Sequence, residues 1–422
     1  MSATVLDPVE DVRFFTPDFL QNPHAFLENC REHSPVVRLT PTVEHKVEYL
    51  VTTYPLVQYV LNHPELFSSN YLPMLTGGGW VDPEVEAIRA QGFEEVDSVL
   101  TADDDVHKRL RGLISFAFVP ARIRAMEASL IKVVDGLIDG FAKRGECDFV
   151  RDFAAWLPTN ALAILMGIED GQYADMQGWS AAITRRFGQM ATLEQRIADE
   201  RTILEAKRFM VDLIAERRRK PGSDLVSDLI AARDEDANKL SEFEILATIF
   251  ILLVGATETT FSTLLFATAH LAQHPEMAYR LREDRSQIPA FVEEVLRYYT
   301  PVAGMWRIVR QDTDLGNARL AKGSLLMVRL DSANRDPTMF SEPDSFDIDR
   351  KGNIRHLSFG GGAHSCLGFR LAKMELNIAV NALLDRLDNF QIVEDESDLS
   401  ILPSTHSRCI RSLKLCFSAR TI

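Results

Sequence analysis

Apolar residues recur at spacings of three and four along most of the chain, which is the period of an amphipathic α-helix. The segments with this period, several of them closed by Gly or Pro, are 106–119, 121–143, 154–168, 193–218, 241–272, 275–284, 287–299 and 369–387. Shorter runs with strand character occur in "PVVRLT" and "VEYLVTT" near the start and in 315–330, which we predict to be strands joined at Lys322-Gly323. Because no linker rich in Pro, Gly or Ser divides the chain, we expect one large, mainly α-helical domain over residues 1–422, with small β-sheets in an α+β fold.

One stretch, residues 70–101, departs from this pattern. It contains three consecutive glycines, Gly77 to Gly79, beside Trp80, and an acidic tract follows. A long segment of this kind is typically either a plain surface insertion or a cover over a ligand. We predict that 70–101 is a lid loop over a substrate pocket.

Charge and cysteine content disfavour several classes of protein. The chain has 61 Asp and Glu against 46 Lys and Arg, a net charge of −15, which argues against nucleic acids and anionic membranes as partners because like charges repel. Five cysteines without a CxxC pair are typical of a reducing compartment. The start of the chain has no signal-peptide pattern, and the apolar run 245–256 ends before the roughly 20 residues that cross a bilayer. We therefore predict a soluble, cytoplasmic protein.

A carboxylate and two hydroxyls interrupt the most apolar predicted helix. Glu258, Thr259 and Thr260 lie within "IFILLVGATETTFSTLLFA", residues 249–267. A carboxylate in an apolar helix costs on the order of several kcal/mol unless it is paired or reaches water, so we expect Glu258 to have a partner or a water channel. The two threonines have a structural alternative, because threonines inside helices commonly donate to the carbonyl one turn earlier.

Glycines surround a single cysteine in "FGGGAHSCLGFRLAKME", residues 359–375. Three glycines precede Cys366, and Gly368 follows it where a helical pattern begins, so free backbone N–H groups and the positive end of the helix dipole favour a thiolate. Such a thiolate is a nucleophile, a zinc ligand or an axial ligand to haem iron. Zinc needs three or four clustered ligands, and His364 with Cys366 supplies two; a nucleophile needs a base, for which His364 is a candidate.

Together these residues resemble the haem-ligand signature of the cytochromes P450. The matching positions are Phe359, Gly360, Gly362, His364, Cys366 and Gly368, continued by Leu371, Ala372 and Glu375. The resemblance is to soluble bacterial members and covers roughly residues 20 to 417, with the motifs in the family's order. It implies a cytochrome P450-like fold with haem b as cofactor, Cys366 as the axial ligand to the iron, Phe359 against its sulfur and His364 at a haem propionate.

The resemblance also gives roles to polar residues whose function cannot be determined from their spacing alone. Glu294 and Arg297 resemble the family's ExxR motif, and Arg350 would complete a structural charge network beneath the haem. Without the resemblance, an ExxR pair is most simply a surface ion pair on one helix face. The residues that sit where the family places partners for the haem propionates are His107, Arg111, Arg307 and His364.

The apolar helix with its carboxylate resembles the family's distal helix. In "GATETT", residues 255–260, Glu258 and Thr259 match the acid–alcohol pair, in which a hydroxyl beside a carboxylate holds a water that relays protons during oxygen activation. Ala256 stands where glycine is more usual, and Gly255 precedes it. Both residues are small, so we expect room for oxygen and for the cofactor at these positions.

The resemblance implies a haem-thiolate monooxygenase that uses dioxygen and two electrons to hydroxylate a small-to-medium hydrophobic substrate, a terpenoid in preference to a steroid, fatty acid or aromatic. The expected pocket segments are 70–101, 180–195, Leu252, Leu253, Gly255, 302–306 and 402–406. Electrons would come from a [2Fe–2S] ferredoxin with an NAD(P)H-dependent reductase, and the candidate docking residues are Lys108, Arg109, Arg355, Arg370 and Lys373. Two alternatives stay open: a peroxide-driven haem-thiolate peroxygenase, and a non-catalytic haem-dependent sensor or ligand-binding protein.

Overall fold

Helices dominate the computed structural model, which describes residues 16–39, 47–71, 82–168, 173–188, 190–235 and 240–420. The α-helices are α1 (Pro17–Gln21), α2 (His24–His33), α3 (Tyr54–Asn62), α4 (Pro83–Arg89), α5 (Asp104–Ser115), α6 (Pro120–Asp139), α7 (Trp156–Met166), α8 (Tyr173–Gly188), α9 (Leu193–Arg219), α10 (Leu225–Glu235), α11 (Glu242–Gln273), α12 (Pro275–Glu283), α13 (Ile288–Tyr299), α14 (Leu330–Ala333) and α15 (Phe369–Arg386). The mainly helical fold predicted from the sequence is confirmed.

Short strands form small sheets beside the helices. They are β1 (Val36–Arg38), β2 (Tyr49–Val51), β3 (Phe67–Ser68), β4 (Glu146–Asp148), β5 (Gly304–Val309), β6 (Thr313–Leu315), β7 (Ala318–Leu320), β8 (Leu325–Arg329), β9 (Leu387–Ile392), β10 (Asp398–Ile401), β11 (Ile410–Ser412) and β12 (Lys414–Ala419). The largest sheet has the order β1-β2-β8-β5-β3, in which only β2 and β8 are parallel. The others are β4-β12-β9, β6-β7 and β10-β11. The largest sheet has a hydrophobic core of its own, and a larger core lies among the helices.

Helix α11 is the central helix of the fold. Ser241 and Glu244 form a reciprocal capping box that fixes its start. It packs against α7, α8, α13 and α15. By length and composition α11 could cross a membrane, but half of its most apolar stretch is buried inside the protein, and the core helix of a soluble protein meets the same criteria.

Each of the eight predicted helical segments corresponds to a helix whose ends lie within four residues of the prediction. The prediction of strands joined at Lys322-Gly323 within 315–330 is confirmed, because this turn connects β7 to β8. The two strands belong to different sheets: β7 forms a hairpin with β6 that turns at Gly316-Asn317, and β8 belongs to the five-stranded sheet. Gly316 has φ +56° and Gly323 φ +90°, so both turns use a left-handed backbone that favours glycine.

The predicted lid, 70–101, lies partly outside the described residues, because 72–81 are not described. Its second half contains α4 and is bound to α8 and α9 by ion pairs. Arg186 of α8 donates two hydrogen bonds to Glu95 at 3.0 and 2.9 Å, and the buried Lys207 of α9 reaches the same carboxylate at 2.9 Å. Arg89 also pairs with Glu200 of α9 at 2.7 Å. We call the ion pairs of Glu95 with Arg186 and Lys207 the Glu95 latch.

Candidate functional site

The loop before α15 presents Cys366 at the start of that helix. The Cys366 N–H donates to the Phe359 carbonyl at 2.9 Å, which closes the loop on itself. Gly360 and Gly362 have φ of +68° and +63°, and a Cβ on Gly362 would lie 2.1 Å from the Leu61 carbonyl oxygen. The left-handed backbone and the lack of space both require glycine, so the loop is fixed against α3.

The electrostatic surroundings of Cys366 differ from the sequence-based expectation. Burial raises the pKa of the Cys366 thiol, while the backbone N–H groups of Gly368 and Phe369 and the charge of Arg111 lower it by less. The expectation that this position favours a thiolate is therefore wrong for the polypeptide by itself, because desolvation outweighs the helix N–H groups. A bound metal ion would supply the missing positive charge, since it deprotonates a coordinating thiol. Within the described ranges no three His, Cys, Asp or Glu residues cluster as a metal site, which disfavours zinc at Cys366.

Basic side chains predicted to bind one ligand come together beside this loop. The rings of His107 and His364 lie 3.9 Å apart, and His107 Nε2 and His364 Nδ1 are buried without a hydrogen-bond partner among the described residues. The charges of Arg307 and Arg111 both act on His364, and together with burial they lower its pKa to about 3. Arg307 is itself buried and donates to the Trp306 carbonyl. Unpaired buried nitrogens beside two guanidinium groups form a site that fits an anionic group.

Glu258 and Thr259 lie on α11 as the sequence predicts. Desolvation raises the pKa of Glu258 to about 7, and Arg185 of α8 opposes the shift with its positive charge. Arg185 also forms a bidentate ion pair with Asp199 of α9, and about half of the Arg185 side chain is exposed. The expected partner of Glu258 is therefore the Ser180 side chain, which forms a hydrogen bond with it, and Arg185 adds the attraction of its charge. The Thr259 hydroxyl donates to the Gly255 carbonyl at 3.1 Å, the back-bond that was the structural alternative for this residue.

The ExxR residues form a fully buried charge network rather than a surface pair. Glu294 accepts from Arg297 at 2.7 and 2.8 Å, and neither side chain is exposed. Arg350 Nε lies 3.3 Å from the same carboxylate, and the Asp347 N–H donates to it at 2.9 Å. Arg297 also donates to three backbone carbonyls between residues 334 and 345. The network connects α13 to the segment that leads to the Cys366 loop.

An open cavity of about 440 Å³ lies on the protein surface at Cys366. Its lining includes Arg111, Phe359, Arg370, Lys373 and the apolar Ile354, which is 71% exposed. Three of the cations predicted to dock a ferredoxin already form ion pairs within the protein: Lys108 pairs with Asp105, Arg109 with Glu244 and Lys373 with Glu293. Arg370 stacks its guanidinium on the Phe369 ring at 4.4 Å.

Aromatic side chains lie together in the segments predicted to line the substrate pocket. The Trp306 and His406 rings are stacked 4.9 Å apart at 18°, with Tyr71 5.4 Å from Trp306 and Phe187 6.1 Å from His406. Trp306 and Leu253 are both buried. Their place in the lining of a substrate pocket stays a prediction.

Comparison with known proteins assigns the chain to a family. The family model described as cytochrome P450 matches residues 18–417. The chain belongs to the cytochrome P450 family. Two similar relatives are cytochrome P450 107B1 of Saccharopolyspora erythraea, 33% identical over 395 residues (93% of this chain, 94% of the relative), and steroid C26-monooxygenase of Mycobacterium tuberculosis, 32% identical over 367 residues (87% and 94%).

The P450 fold is also present in solved structures. P450BioI in complex with an acyl carrier protein bearing hexadec-9Z-enoic acid superposes with a TM-score of 0.84 at 28% identity, covering 95% of this chain and all of that chain. These comparisons confirm the predicted fold and enzyme class: this P450 is an oxidoreductase of the monooxygenase class, whose members incorporate molecular oxygen.

Haem b is the cofactor of the P450 family, and the residues present fit it. The unpaired nitrogens of His107 and His364 suit propionates, which are costly to bury without partners. On α11, a Cβ added at Gly255 would meet nothing within 4 Å, and its neighbour Ala256 is partly exposed, so both leave room on that face. At Gly368 an added Cβ would lie 4.0 Å from the Cys366 sulfur, so a small residue keeps the sulfur accessible.

Sequence reasoning missed the partners that complete this site. Arg185 of α8 pairs with Asp199 of α9 and acts on Glu258 of α11 through its charge, a relation that no spacing within one helix encodes. The available signal is the basic pair in "AAITRRFG", which places two arginines in a helix with buried alanine and isoleucine. Ser365, whose hydroxyl accepts from Arg111 at 3.2 Å, was also missed because serine beside a cysteine has no distinctive pattern.

Proposed function

We propose that this P450 binds haem b through Cys366 and hydroxylates a small-to-medium hydrophobic substrate with dioxygen and two electrons. The observation that supports this best is that basic side chains come together beside the Cys366 loop. His107 Nε2 and His364 Nδ1 are buried there without a hydrogen-bond partner among the described residues, and the charges of Arg111 and Arg307 act on His364. In this assignment, Cys366 would bind the haem iron through its sulfur, and His107, Arg111, Arg307 and His364 would hold the propionates. Phe359, Gly360, Gly368 and Ala256 shape the space around the cofactor.

Oxygen activation is the chemistry that haem supplies when it is bound. The protein's own part is to deliver protons. Because burial raises the pKa of Glu258 to about 7, this carboxyl both binds and releases a proton near neutral pH. Arg185 is half exposed and acts on Glu258, so it offers a polar route from solvent to the carboxyl. The Thr259 hydroxyl donates a hydrogen bond to the Gly255 carbonyl. Its oxygen lone pairs are therefore left to accept a hydrogen bond from a water.

We propose a terpenoid-like substrate, with a steroid as the second candidate. Apolar and aromatic residues of α11, β5 and the loop at 402–406 support a hydrophobic ligand. A relative named steroid C26-monooxygenase, 32% identical, supports the second candidate. The segment 70–101 is proposed as the lid over this pocket, and the Glu95 latch supports its contact with α8 and α9.

We propose a [2Fe–2S] ferredoxin, fed by an NAD(P)H-dependent reductase, as electron donor and the cytoplasm as location. The exposed Ile354 and the cations around the 440 Å³ cavity support a docking surface for an acidic protein at Cys366. Arg355 and Arg370 are its clearest exposed cations. Lys108, Arg109 and Lys373 contribute less, since each also has an acidic partner.

A spectroscopic ligand screen tests the proposal. Terpenoids, steroids, fatty acids and aromatics are titrated into the purified protein, and displacement of iron-bound water is followed as a low-to-high-spin shift. Productive ligands are then turned over with ferredoxin and reductase, or with hydrogen peroxide. Turnover with the electron-transfer chain supports the monooxygenase. Turnover with peroxide alone supports the peroxygenase, and binding without either product supports a sensor.

Thr259→Ala separates the same three functions. For the monooxygenase we expect the variant to consume electrons with less product formed, because the water that donates a hydrogen bond to the Thr259 hydroxyl is lost. An unchanged ratio of product to electrons contradicts the proton-delivery role.

A further inference from the structure

Five basic side chains that the Cys366 site does not use converge beside α2. They are His24 and Arg31 of α2, Arg329 of β8, Arg335 after α14, and Arg408 before β11. The charges of all four arginines act on His24 and, after burial, lower its pKa. Arg31 bridges to the same region by donating to the Ser332 hydroxyl at 3.0 Å.

The acidic residues nearby already have their hydrogen bonds elsewhere. Asp331 accepts from Arg329 at 3.0 and 2.5 Å and from the Ser332 N–H at 2.8 Å. Asp344 accepts from Arg335 at 2.6 Å. Asp336 accepts from the Tyr54 N–H and from Thr338. None of these three carboxylates accepts a hydrogen bond from Arg408 Nε or Nη1. A fourth acid, Glu28 of α2, acts on Arg31 through its charge.

Several donors of the cluster have no acceptor in the described part of the chain. They are Arg408 Nε and Nη1, Arg31 Nε and Arg335 Nε, with His24 Nδ1 also unpaired. All these atoms are buried. A buried unpaired donor is costly, most of all on a permanently charged group. Burial accordingly lowers the pKa of Arg408 to about 10.

We propose that this cluster is an anion-binding site in which Arg408 is the principal donor and the occupant is a small oxyanion, either a carboxylate or an inorganic sulfate or phosphate. An oxygen acceptor supplies the hydrogen bonds that the nearby acids do not make to Arg408. Its charge also offsets the positive charge around Arg408, where Arg329 and Arg335 act against Asp331 alone. The bound anion joins α2 to the segment after α14 and to the strand pair β10–β11. This site is independent of the proposed oxygen chemistry.

Anion titration of thermal unfolding tests the proposal on the full haem-loaded protein. Sulfate, phosphate and acetate are each added at constant ionic strength, and the unfolding midpoint is followed. We expect a saturable rise for wild type and a half-saturation concentration about 10- to 100-fold higher in Arg408→Met, as follows from the loss of a charge-assisted hydrogen bond. The control is Arg411→Met. Arg411 lies three residues after Arg408, is half exposed and pairs with Asp398, so we expect its loss to leave the response to anions unchanged.

The pattern among the anions identifies the occupant. A response to sulfate and phosphate but not to acetate assigns an inorganic oxyanion, and the reverse assigns a carboxylate. Equal, non-saturating rises in wild type and both variants are the general effect of excluded salts and overturn the proposal. If Arg408→Met does not fold, Arg408→Lys is used with crystals grown in selenate. An anomalous peak within hydrogen-bond distance of Arg408 in wild type supports the site, and ordered water alone there overturns it.

Discussion

Replacing Arg297 by methionine tests the buried charge network most directly. The substitution keeps the apolar first part of the side chain but removes its hydrogen bonds to Glu294 and to three backbone carbonyls. Glu294 is left fully buried with Arg350 at 3.3 Å and the Asp347 N–H as its remaining partners. Removing one partner of a buried ion pair costs about 3–5 kcal/mol, because the other charge stays buried with part of its compensation lost.

The size of the protein converts this cost into a modest thermal shift. For 422 residues at ~2.1 cal/mol/K per residue, the unfolding entropy is about 0.9 kcal/mol/K, so the melting temperature falls by about 3–6 °C. The more sensitive measurement is urea unfolding of the purified protein, followed by circular dichroism and by loss of the Soret band. We expect both probes to report a lower midpoint, since the network holds the segment that leads to the Cys366 loop.

The matched control is Arg319→Met. Arg319 pairs with Asp314 at 3.1 Å, but the two side chains are 63% and 77% exposed, and exposed pairs contribute about 0–1 kcal/mol. If Arg297→Met loses no more stability than Arg319→Met, the buried network does not stabilise the fold as argued. Arg297→Lys adds a second comparison: it keeps the charge but not the planar set of donors, so we expect an intermediate loss.

Three further predictions follow from the site. Cys366→Ser abolishes the red-shifted Soret band of the reduced protein under carbon monoxide while Cys409→Ser retains it; the same spectrum in both variants contradicts the ligand assignment. Between pH 4.5 and 7, Glu258 binds its proton more tightly in the native state than in the unfolded chain, so the free energy of unfolding falls as pH rises. We expect Glu258→Gln to remove this pH dependence, measured by urea unfolding. Equal pH dependence in wild type and variant contradicts a raised pKa. Glu95→Gln weakens the ion pairs between the lid and α8 and α9, so limited proteolysis within 82–101 becomes faster, whereas the exposed Glu84→Gln changes it little.

Helical periodicity predicted the fold well because most helices bury one face on a common core. Helix α11 shows this clearly, with a capping box at Ser241 and a long apolar face. Helix α8 escaped prediction because "ADMQGWSAAITRRFG" mixes buried and charged residues without a clean stripe. The turn at Lys322-Gly323 was predicted correctly, but the sheets to which its two strands belong were not predicted, because glycine marks a turn and not the partner of each strand.

Motif matching located Cys366, His364 and Glu258, but the electrostatics of these residues depend on contacts that sequence spacing does not encode. The thiol pKa of Cys366 is raised since desolvation exceeds the effect of the helix N–H groups. The charge of Arg185 acts on Glu258 from another helix, and Ser180 of that helix hydrogen-bonds to Glu258. Such contacts come from tertiary packing, so they are available only once the fold is known.

In the lid proposed for 70–101, the Glu95 latch is largely shielded from the buffer. Glu95 holds two cations from different helices, and the side chains of Glu95, Arg186 and Lys207 are only 29%, 13% and 3% exposed. The Debye length shortens from about 10 Å at 0.1 M to about 3 Å at 1 M salt, but buried ion pairs are screened much less than exposed ones. Association rates of bulky ligands should therefore change little with ionic strength, so binding screens in dilute and in concentrated salt should rank the same compounds alike.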